Sequence, residues 1–328
     1  MGFSRSFLAW AVATVMTAGA AMAQTKIDMI GFGGASNLPL WLAMDKGIFA
    51  RHGLAVTLER TEGSVAQIQN MMEGKYHLAT TSIDNIIAYA EGQGPAKLDR
   101  PFDMVAFMGV HSGLNSVVTR PEITRYADIK GKVVAVDAPN TGYAFVLFKI
   151  LADHGLVLDR DYTIISVGGT EHRMDALRDG RAVAAVMAAP TDLEAKAAGY
   201  NILADAAEEL GGYQGSVYGA RRGWAADNEG AVLAFVHAIV EAHGQVFSDK
   251  PAAKRILMAR IKGLDESGAE TIYTGLTTGK GGLSRRAEID IAGVRSVLAM
   301  RGDYAVPKKP LDDPHKYLEL GYYKKALG

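Results

Sequence analysis

Four short polar segments of the sequence are suited to binding an anion. Each stands between a predicted strand and a predicted helix, and together they comprise Ser36-Asn37, Gly63-Ser64, Thr141-Gly142-Tyr143 and Gly169-Thr170. The first N–H groups of a helix have no partner within it, and a helix N-terminus stabilises a nearby anion by about 0.3–1 kcal/mol. Several such N-termini around one cleft would bind a carboxylate, sulfonate or phosphate without a lysine. Ser64, Thr141 and Thr170 would serve equally well as plain helix caps.

Four further side chains are candidates for the same site. Ser82 and Asp84 lie in Thr-Thr-Ser-Ile-Asp-Asn, where a strand ends and a helix begins. Ser82 would cap this helix, and Asp84 would either stabilise its first turn or contact a cationic group of a ligand. His111 follows another strand and would line a cleft or be an interior residue. Arg173, early in its helix, would pair with an anionic ligand, with another side chain or with solvent.

The sequence lacks the motifs of the common catalytic and metal sites. Gly31-Phe32-Gly33 resembles the start of the dinucleotide fingerprint G-x-G-x-x-G, but Ser36 takes the place of its third glycine. Gly-Val-His-Ser-Gly, residues 109–113, is not the nucleophile motif G-x-S-x-G because the serine comes one position late. The eight histidines are scattered, and the chain has no cysteine. We therefore expect no catalytic residue, no metal site and no cofactor.

Two blocks of the chain share one order of elements. In residues 26–92 and 132–199, a strand, a polar turn and a helix lead to His-Gly-Leu, which begins at His52 and at His154. There follow a strand, a Gly-Ser or Gly-Thr pair, a helix, a Gly-Lys or Gly-Arg pair and another strand. The glycines of the two pairs are eleven residues apart in both blocks. Any two βαβ units share part of this order, but the equal glycine spacing favours two similar lobes with a cleft between them.

The order of elements predicts an α/β protein. Seven segments have the residue types of strands and alternate with segments of helical periodicity. They lie in the two blocks and between them, at residues 26–32, 54–60, 77–82, 103–110, 132–138, 162–168 and 182–188. A helix is expected over 39–50, behind the first strand. The last third is helical, with buried faces predicted in 231–247, 251–263 and 286–302. Residues 213–223 have strand character and would return the chain to the first lobe.

The N-terminus and the composition predict an exported protein. One arginine, an apolar run from Phe7 and Ala21-Met22-Ala23 are typical of a signal peptide of residues 1–23, cleaved before Gln24; the alternative is a membrane anchor, for which the run is marginally short. The absence of cysteine excludes disulfides and a lipid-bearing cysteine. The formal net charge of −1 gives no reason to expect a nucleic acid as partner.

Three segments together resemble the solute-binding proteins of ABC importers, in the SsuA/THI5-like (NMT1/TauA-type) family. They are LPLWLAMDKGIFARHGLAVTL, GSVAQIQNMMEGKYHLATTS and DIKGKVVAVDAPNTGYAFVLFKILADHGL, and the later GGTEHRMDALRDGRAVAAVMAAP fits as well. The resemblance implies a type II periplasmic-binding-protein fold. Each of its two lobes would be a mixed, mostly parallel sheet flanked by helices, with two hinge crossings near residues 116 and 215. Lobe 1 would then comprise residues 24–115 and 216–328, and lobe 2 residues 116–215.

The resemblance also implies the ligand-binding residues. Carried over to this chain, they are Ser36, Asn37, Ser64, Ser82, Asp84, His111, Thr141, Gly142, Tyr143, Gly169 and Thr170, to which the residues themselves add Arg173. Some sulfonate-binding members have a Tyr-Gln pair where this chain has Gly31-Phe32-Gly33, which argues against a straightforward sulfonate assignment. Phe32, Trp41 and Tyr143 leave room for a planar ligand, although Trp41 is also suited to the core.

The function implied is that of a periplasmic solute-binding component of an ABC importer. It would bind a small organic anion, a sulfonate, a carboxylate or an aromatic acid, between its lobes without chemistry. It would act as a monomer, with the permease subunits as partners. One alternative is an enzyme of the THI5-like pyrimidine-synthase type, but such enzymes use iron and a cysteine-rich motif, and this chain has no cysteine. Another alternative is a protein that presents its ligand to a membrane sensor.

Overall fold

The structure is a computed structural model that describes residues 24–328. The predicted signal peptide, residues 1–23, lies outside the described residues and stays a prediction.

Ten strands form two sheets of five within the described part of the chain. The first sheet has the order β2-β1-β3-β10-β4 and the second the order β7-β6-β8-β5-β9. The strands are Thr25–Gly31 (β1), Leu54–Arg60 (β2), Leu78–Ser82 (β3), Met104–Gly109 (β4), Ser116–Thr119 (β5), Lys132–Val136 (β6), Tyr162–Ser166 (β7), Ala184–Met187 (β8), Asn201–Asp205 (β9) and Ser216–Arg221 (β10).

Both sheets are mixed, with the same pattern. In the first sheet β1 pairs in parallel with β2 and β3, and β10 runs antiparallel between β3 and β4. In the second sheet β6 pairs in parallel with β7 and β8, and β5 runs antiparallel between β8 and β9. The predicted fold class, two lobes with mixed, mostly parallel sheets flanked by helices, is confirmed. We call the halves built on the first and second sheets the first and second lobes.

The α-helices cover both sheets and form the C-terminal third. They are Leu38–Asp45 (α1), Ile48–Arg51 (α2), Ser64–Glu73 (α3), Ile83–Ala90 (α4), Gly142–Asp153 (α5), Thr170–Arg178 (α6), Thr191–Ala197 (α7), Ala206–Leu210 (α8), Arg222–Asp227 (α9), Glu229–Ser248 (α10), Lys250–Arg260 (α11), Glu266–Thr278 (α12), Ile291–Tyr304 (α13) and Gly321–Leu327 (α14).

The single helix predicted over residues 39–50 is two helices. Gly47, between α1 and α2, has φ of 64°, a left-handed conformation that breaks a helix and suits glycine. Two strands, β5 and β9, were not predicted from the sequence.

The hydrophobic cores explain the apolar periodicity of the C-terminal third. Helix α10 buries Val232, Phe235, Val236 and Ile239 against the first sheet and α1. This helix is long and apolar enough to cross a bilayer by length and composition alone, but that stripe belongs to the first lobe's core. Helix α13 packs against both α4 and α5, so one core continues from the first lobe into the second behind the cleft.

The free energy of unfolding should decrease as the pH is lowered, because His243 of α10 is fully buried. Its Nδ1 lies 2.6 Å from the Ser284 carbonyl oxygen, and burial lowers its pKa to about 4. The histidine is neutral in the folded protein but takes up a proton below about pH 6.5 when unfolded. The contribution of His243 to the free energy of unfolding is therefore complete above pH 6.5. It is lost as the pH falls towards 4, by roughly 1.4 kcal/mol per pH unit.

We expect His243→Gln to remove roughly 2 kcal/mol of the stability difference between pH 6.5 and pH 5. Urea unfolding of both proteins at the two pH values measures this difference. His237→Gln, at an exposed position of the same helix, is the control and should keep the wild-type pH dependence. Equal pH dependence in all three proteins would contradict the prediction.

Candidate functional site

A cavity of about 450 Å³ lies between the two lobes, at the carboxyl ends of the parallel strands. This is where ligands bind in open α/β sheets. Its wall includes ten of the residues predicted from the sequence: Ser36, Ser64, Ser82, His111, Thr141, Gly142, Tyr143, Gly169, Thr170 and Arg173.

Two predicted residues, Asn37 and Asp84, do not line this cavity. The side chain of Asn37 is buried and donates from Nδ2 to the carbonyl oxygen of Phe32 at 2.7 Å. The carboxylate of Asp84 is also buried, and Arg301 donates to both of its oxygens, at 2.7 and 2.6 Å. The cationic group that Asp84 contacts is therefore a side chain of this protein and not a group of a ligand.

The N-termini of α3, α5 and α6 meet the cavity at turns predicted from the sequence. The residues before these helices are Gly63, Thr141 and Gly169, and none of them forms a side-chain capping hydrogen bond. Ser64 and Thr170 are the first helical residues and not caps. The Thr141 hydroxyl lies 2.5 Å from an oxygen of Asp137. The capping alternative fails for these three residues, whereas Ser82 does cap its helix by accepting from the N–H of Asp84 at 3.3 Å.

Arg173 provides a buried cation in the wall of the cavity. Only 6% of the residue is exposed. Its Nη2 donates to the hydroxyl of Thr170 at 2.9 Å, and its Nη1 lies 4.0 Å from an oxygen of Asp137. Its Nε has no hydrogen-bond partner among the described residues, and burial lowers the pKa of the guanidinium. A buried guanidinium whose nearest acidic oxygen is 4.0 Å away is costly, so this side of the cavity favours a group that carries negative charge.

His111 presents a neutral N–H to the cavity. Its Nδ1 accepts from the backbone N–H groups of Gly113 and Leu114, at 3.1 and 3.3 Å, so the ring proton must be on Nε2. Burial lowers the pKa of His111 to about 4, which keeps the ring uncharged at neutral pH. His111 is thus a donor for a neutral or anionic part of a ligand, without adding charge.

Three carboxylates of the cavity wall, Asp137, Asp192 and Asp205, were missed from the sequence. The largely buried Asp192 accepts from the Ser116 hydroxyl at 2.8 Å, and burial raises its pKa. Asp205 ends β9 and caps α8 by accepting from the N–H of Ala207 at 2.8 Å. Asp192 follows a predicted strand and could have been found by the rule applied to the other turns, whereas Asp205 ends a strand that was not predicted.

Helix α12, in the C-terminal third of the chain, closes one side of the cavity with Ile272, Gly275 and Leu276. Together with Phe32 and Leu114 they make part of the wall apolar. Trp41 packs against the core of the first lobe and is not part of this wall.

The two lobes contact each other beside the cavity. The N–H of Ala35 in the first lobe donates to the carbonyl oxygen of Ala189 in the second at 3.2 Å. Arg60, the last residue of β2, and Glu171 of α6 form an exposed ion pair across the cleft. Within residues 24–328, no three histidine or acidic side chains form a group suited to a metal ion.

Several solved structures share this fold. The periplasmic nitrate-binding protein NrtA from Synechocystis PCC 6803 has a TM-score of 0.75 and 14% identity, covering 92% of this chain and 88% of that one. A zinc-bound ligand-binding component of an ABC-type import system from Staphylococcus aureus has a TM-score of 0.73 and 13% identity, and the match covers 92% of this chain and 99% of that one. The periplasmic aliphatic sulphonate binding protein SsuA from Escherichia coli has a TM-score of 0.65 and 17% identity, and the match covers 91% of this chain and 99% of that one. At these identities the likeness is one of fold.

The family comparison agrees with the resemblance predicted from the sequence. No curated protein matches the chain. The family model described as NMT1/THI5 like matches residues 35–253, more than half of the chain. The predicted resemblance is therefore confirmed, and the protein belongs to the NMT1/THI5-like family.

Proposed function

We propose that this protein is the periplasmic solute-binding component of an ABC importer and that it binds a small organic acid between its lobes. The observation that carries the proposal is the buried Arg173, whose Nε–H has no partner among the described residues and which lines an inter-lobe cavity. The N-termini of α3, α5 and α6 add partial positive charge at the same cavity. The fold is shared with ligand-binding components of ABC importers, which supports transport over catalysis.

We further propose that the lobes close around the solute and that the permease recognises the closed form. Lobe 1 comprises residues 24–115 and 216–328, and lobe 2 comprises residues 116–215. These bounds follow the sheets, since β5, which starts at Ser116, is the first strand of the second sheet and β10, which starts at Ser216, belongs to the first sheet again. The protein acts as a monomer and is exported to the periplasm by a signal peptide, residues 1–23, which is cleaved.

Native mass spectrometry of protein purified from its own periplasm tests the proposed function. A co-purified small acid is the expected result. A thermal-shift screen of carboxylates, sulfonates and pyrimidines follows, since a bound solute raises the melting temperature by mass action. The proposal is wrong if no small solute shifts the melting temperature while the protein turns over a substrate.

Thr170→Ala and Thr141→Ala should each weaken binding of the identified acid, by roughly three- to tenfold, with little change in stability. The Thr170 hydroxyl orients the guanidinium of Arg173, and the net contribution of one hydrogen bond is about 0.5–1.5 kcal/mol. Neither hydroxyl caps a helix, so the free energy of unfolding should change by less than about 1 kcal/mol.

Asp249→Ala is the contrasting variant because Asp249 caps α11 by accepting from the N–H of Ala252, away from the cavity. It should lower the free energy of unfolding by about 1 kcal/mol and leave the affinity unchanged. Calorimetric titration and urea unfolding measure the two quantities. Loss of stability with unchanged affinity in the threonine variants would return both threonines to a structural role.

A further inference from the structure

We infer that the solute carries an ammonium group in addition to its acid group, and that Asp192 binds this ammonium. The inference rests on the proposed function, since it assigns the chemical class of solute to the same cavity. Its basis is the distribution of charge along the cavity wall.

The cavity wall has one cation and three carboxylates among the described residues: Arg173 on one side, and Asp137, Asp192 and Asp205. Asp137 partly compensates Arg173, since an oxygen of Asp137 lies 4.0 Å from its Nη1. Asp192 and Asp205 form no ion pair with any described residue. A solute with negative charge alone would therefore enter a cavity whose side chains carry an excess of the same charge.

The charges are ordered along the edge of the second sheet. Arg173 follows β7, Asp137 follows β6 and Asp192 follows β8, in the spatial order β7-β6-β8. Because neighbouring strands lie about 5 Å apart, the strands that lead to Arg173 and Asp192 are separated by roughly 10 Å. Ser116 and Asp205 are directly paired on β5 and β9, beyond β8, so Asp192 follows and Asp205 ends a strand on the side of the sheet away from Arg173. A short zwitterion with its acid group towards Arg173 would span these two ends.

The contacts of the Asp192 carboxylate leave it able to bind a cation. Its Oδ2 accepts from the Ser116 hydroxyl and its Oδ1 from the N–H of Leu193, both at 2.8 Å. Each carboxylate oxygen has a second lone pair, and a largely buried carboxylate without a cation is costly. An ammonium group of the solute would supply that cation on binding, as Arg173 supplies one for the acid group.

Matched pairs of small acids test the inference. The probes are butyrate and 4-aminobutyrate, propionate and 3-aminopropionate, and ethanesulfonate and 2-aminoethanesulfonate, with propylamine as an amine that lacks the acid group. Calorimetric titration uses full-length exported protein freed of co-purified solute. The variants are Asp192→Asn, Arg173→Gln and the control Asp175→Asn, which removes an exposed carboxylate of α6 outside the cavity.

In at least one pair the amino compound should bind at least about tenfold more tightly than the plain acid. Asp192→Asn should abolish this preference, and Asp175→Asn should retain it. Ser116→Ala, which removes the donor that orients Asp192, should reduce the preference without removing the negative charge.

Two other outcomes separate this inference from the proposed function. If plain acids bind as tightly as their amino partners, and Arg173→Gln weakens both, the inference is overturned and binding of an organic acid stands. If propylamine binds as tightly as the amino acids and Arg173→Gln changes nothing, or if no probe binds, both the inference and the proposed acid-binding function fail.

Discussion

Replacing Arg173 by glutamine is expected to lower the affinity for the transported acid by about thirtyfold or more. Truncation of one partner of a buried charged pair in a binding site costs about 2–5 kcal/mol, and each 1.4 kcal/mol is a factor of ten. Arg173 is the cation of the cavity wall among the described residues, and its Nε–H has no partner there. Calorimetric titration with the acid returned by the thermal-shift screen measures the change.

The same substitution should leave the ligand-free protein as stable as the wild type, within about 1 kcal/mol. The guanidinium is desolvated, and its nearest acidic oxygen lies 4.0 Å away, so the folded protein gains little from its charge. Arg178→Gln is the matched control, since Arg178 lies on the same helix, is exposed and pairs with Asp175. An Arg173 variant that loses several kcal/mol of stability but binds normally would show that Arg173 has a structural role.

The turns of the cavity could be predicted because they are local features. Gly63-Ser64 and Gly169-Thr170 each follow a recognisable strand and begin a recognisable helix, and in a parallel sheet such turns meet at one edge. The repeat of this order in two blocks indicated two lobes before any contact between them was known. The ends of strands are thus the part of a site that periodicity alone can find.

Residues that reach the cavity from distant elements could not be predicted in this way. Ile272 and Leu276 of α12 have the spacing of an ordinary core helix, and nothing in that spacing says that the face meets a cavity. The hydroxyls of Thr141 and Thr170 were equally compatible with capping, because capping depends on one backbone conformation that a sequence does not reveal. The partner of Asp84 is 217 residues away, beyond any local pattern.

Arg301→Met is expected to lower the free energy of unfolding by about 3–5 kcal/mol, because it leaves the carboxylate of Asp84 buried without its cation. The side chains of Arg301 and Asp84 are 0% and 1% exposed. Arg301 also donates to the carbonyl oxygen of Asn140 at 3.2 Å and lies over the ring of Phe145 at 4.9 Å. It therefore joins α4 of the first lobe and the start of α5 in the second through α13, and urea unfolding measures the loss.

A double-mutant cycle separates the ion pair from its two side chains. Asp84→Leu should cost as much as Arg301→Met, because it leaves the guanidinium buried without its anion, whereas the double variant should lose clearly less than the sum of both. Removing both charges leaves no buried ion, and the energy of coupling should exceed about 2 kcal/mol. The exposed pair Lys149 and Asp153 on α5 is the control, with an expected coupling of about 0.3–0.5 kcal/mol. Additive losses at Asp84 and Arg301 would mean that packing of the two side chains, and not their charge, joins the lobes behind the cleft.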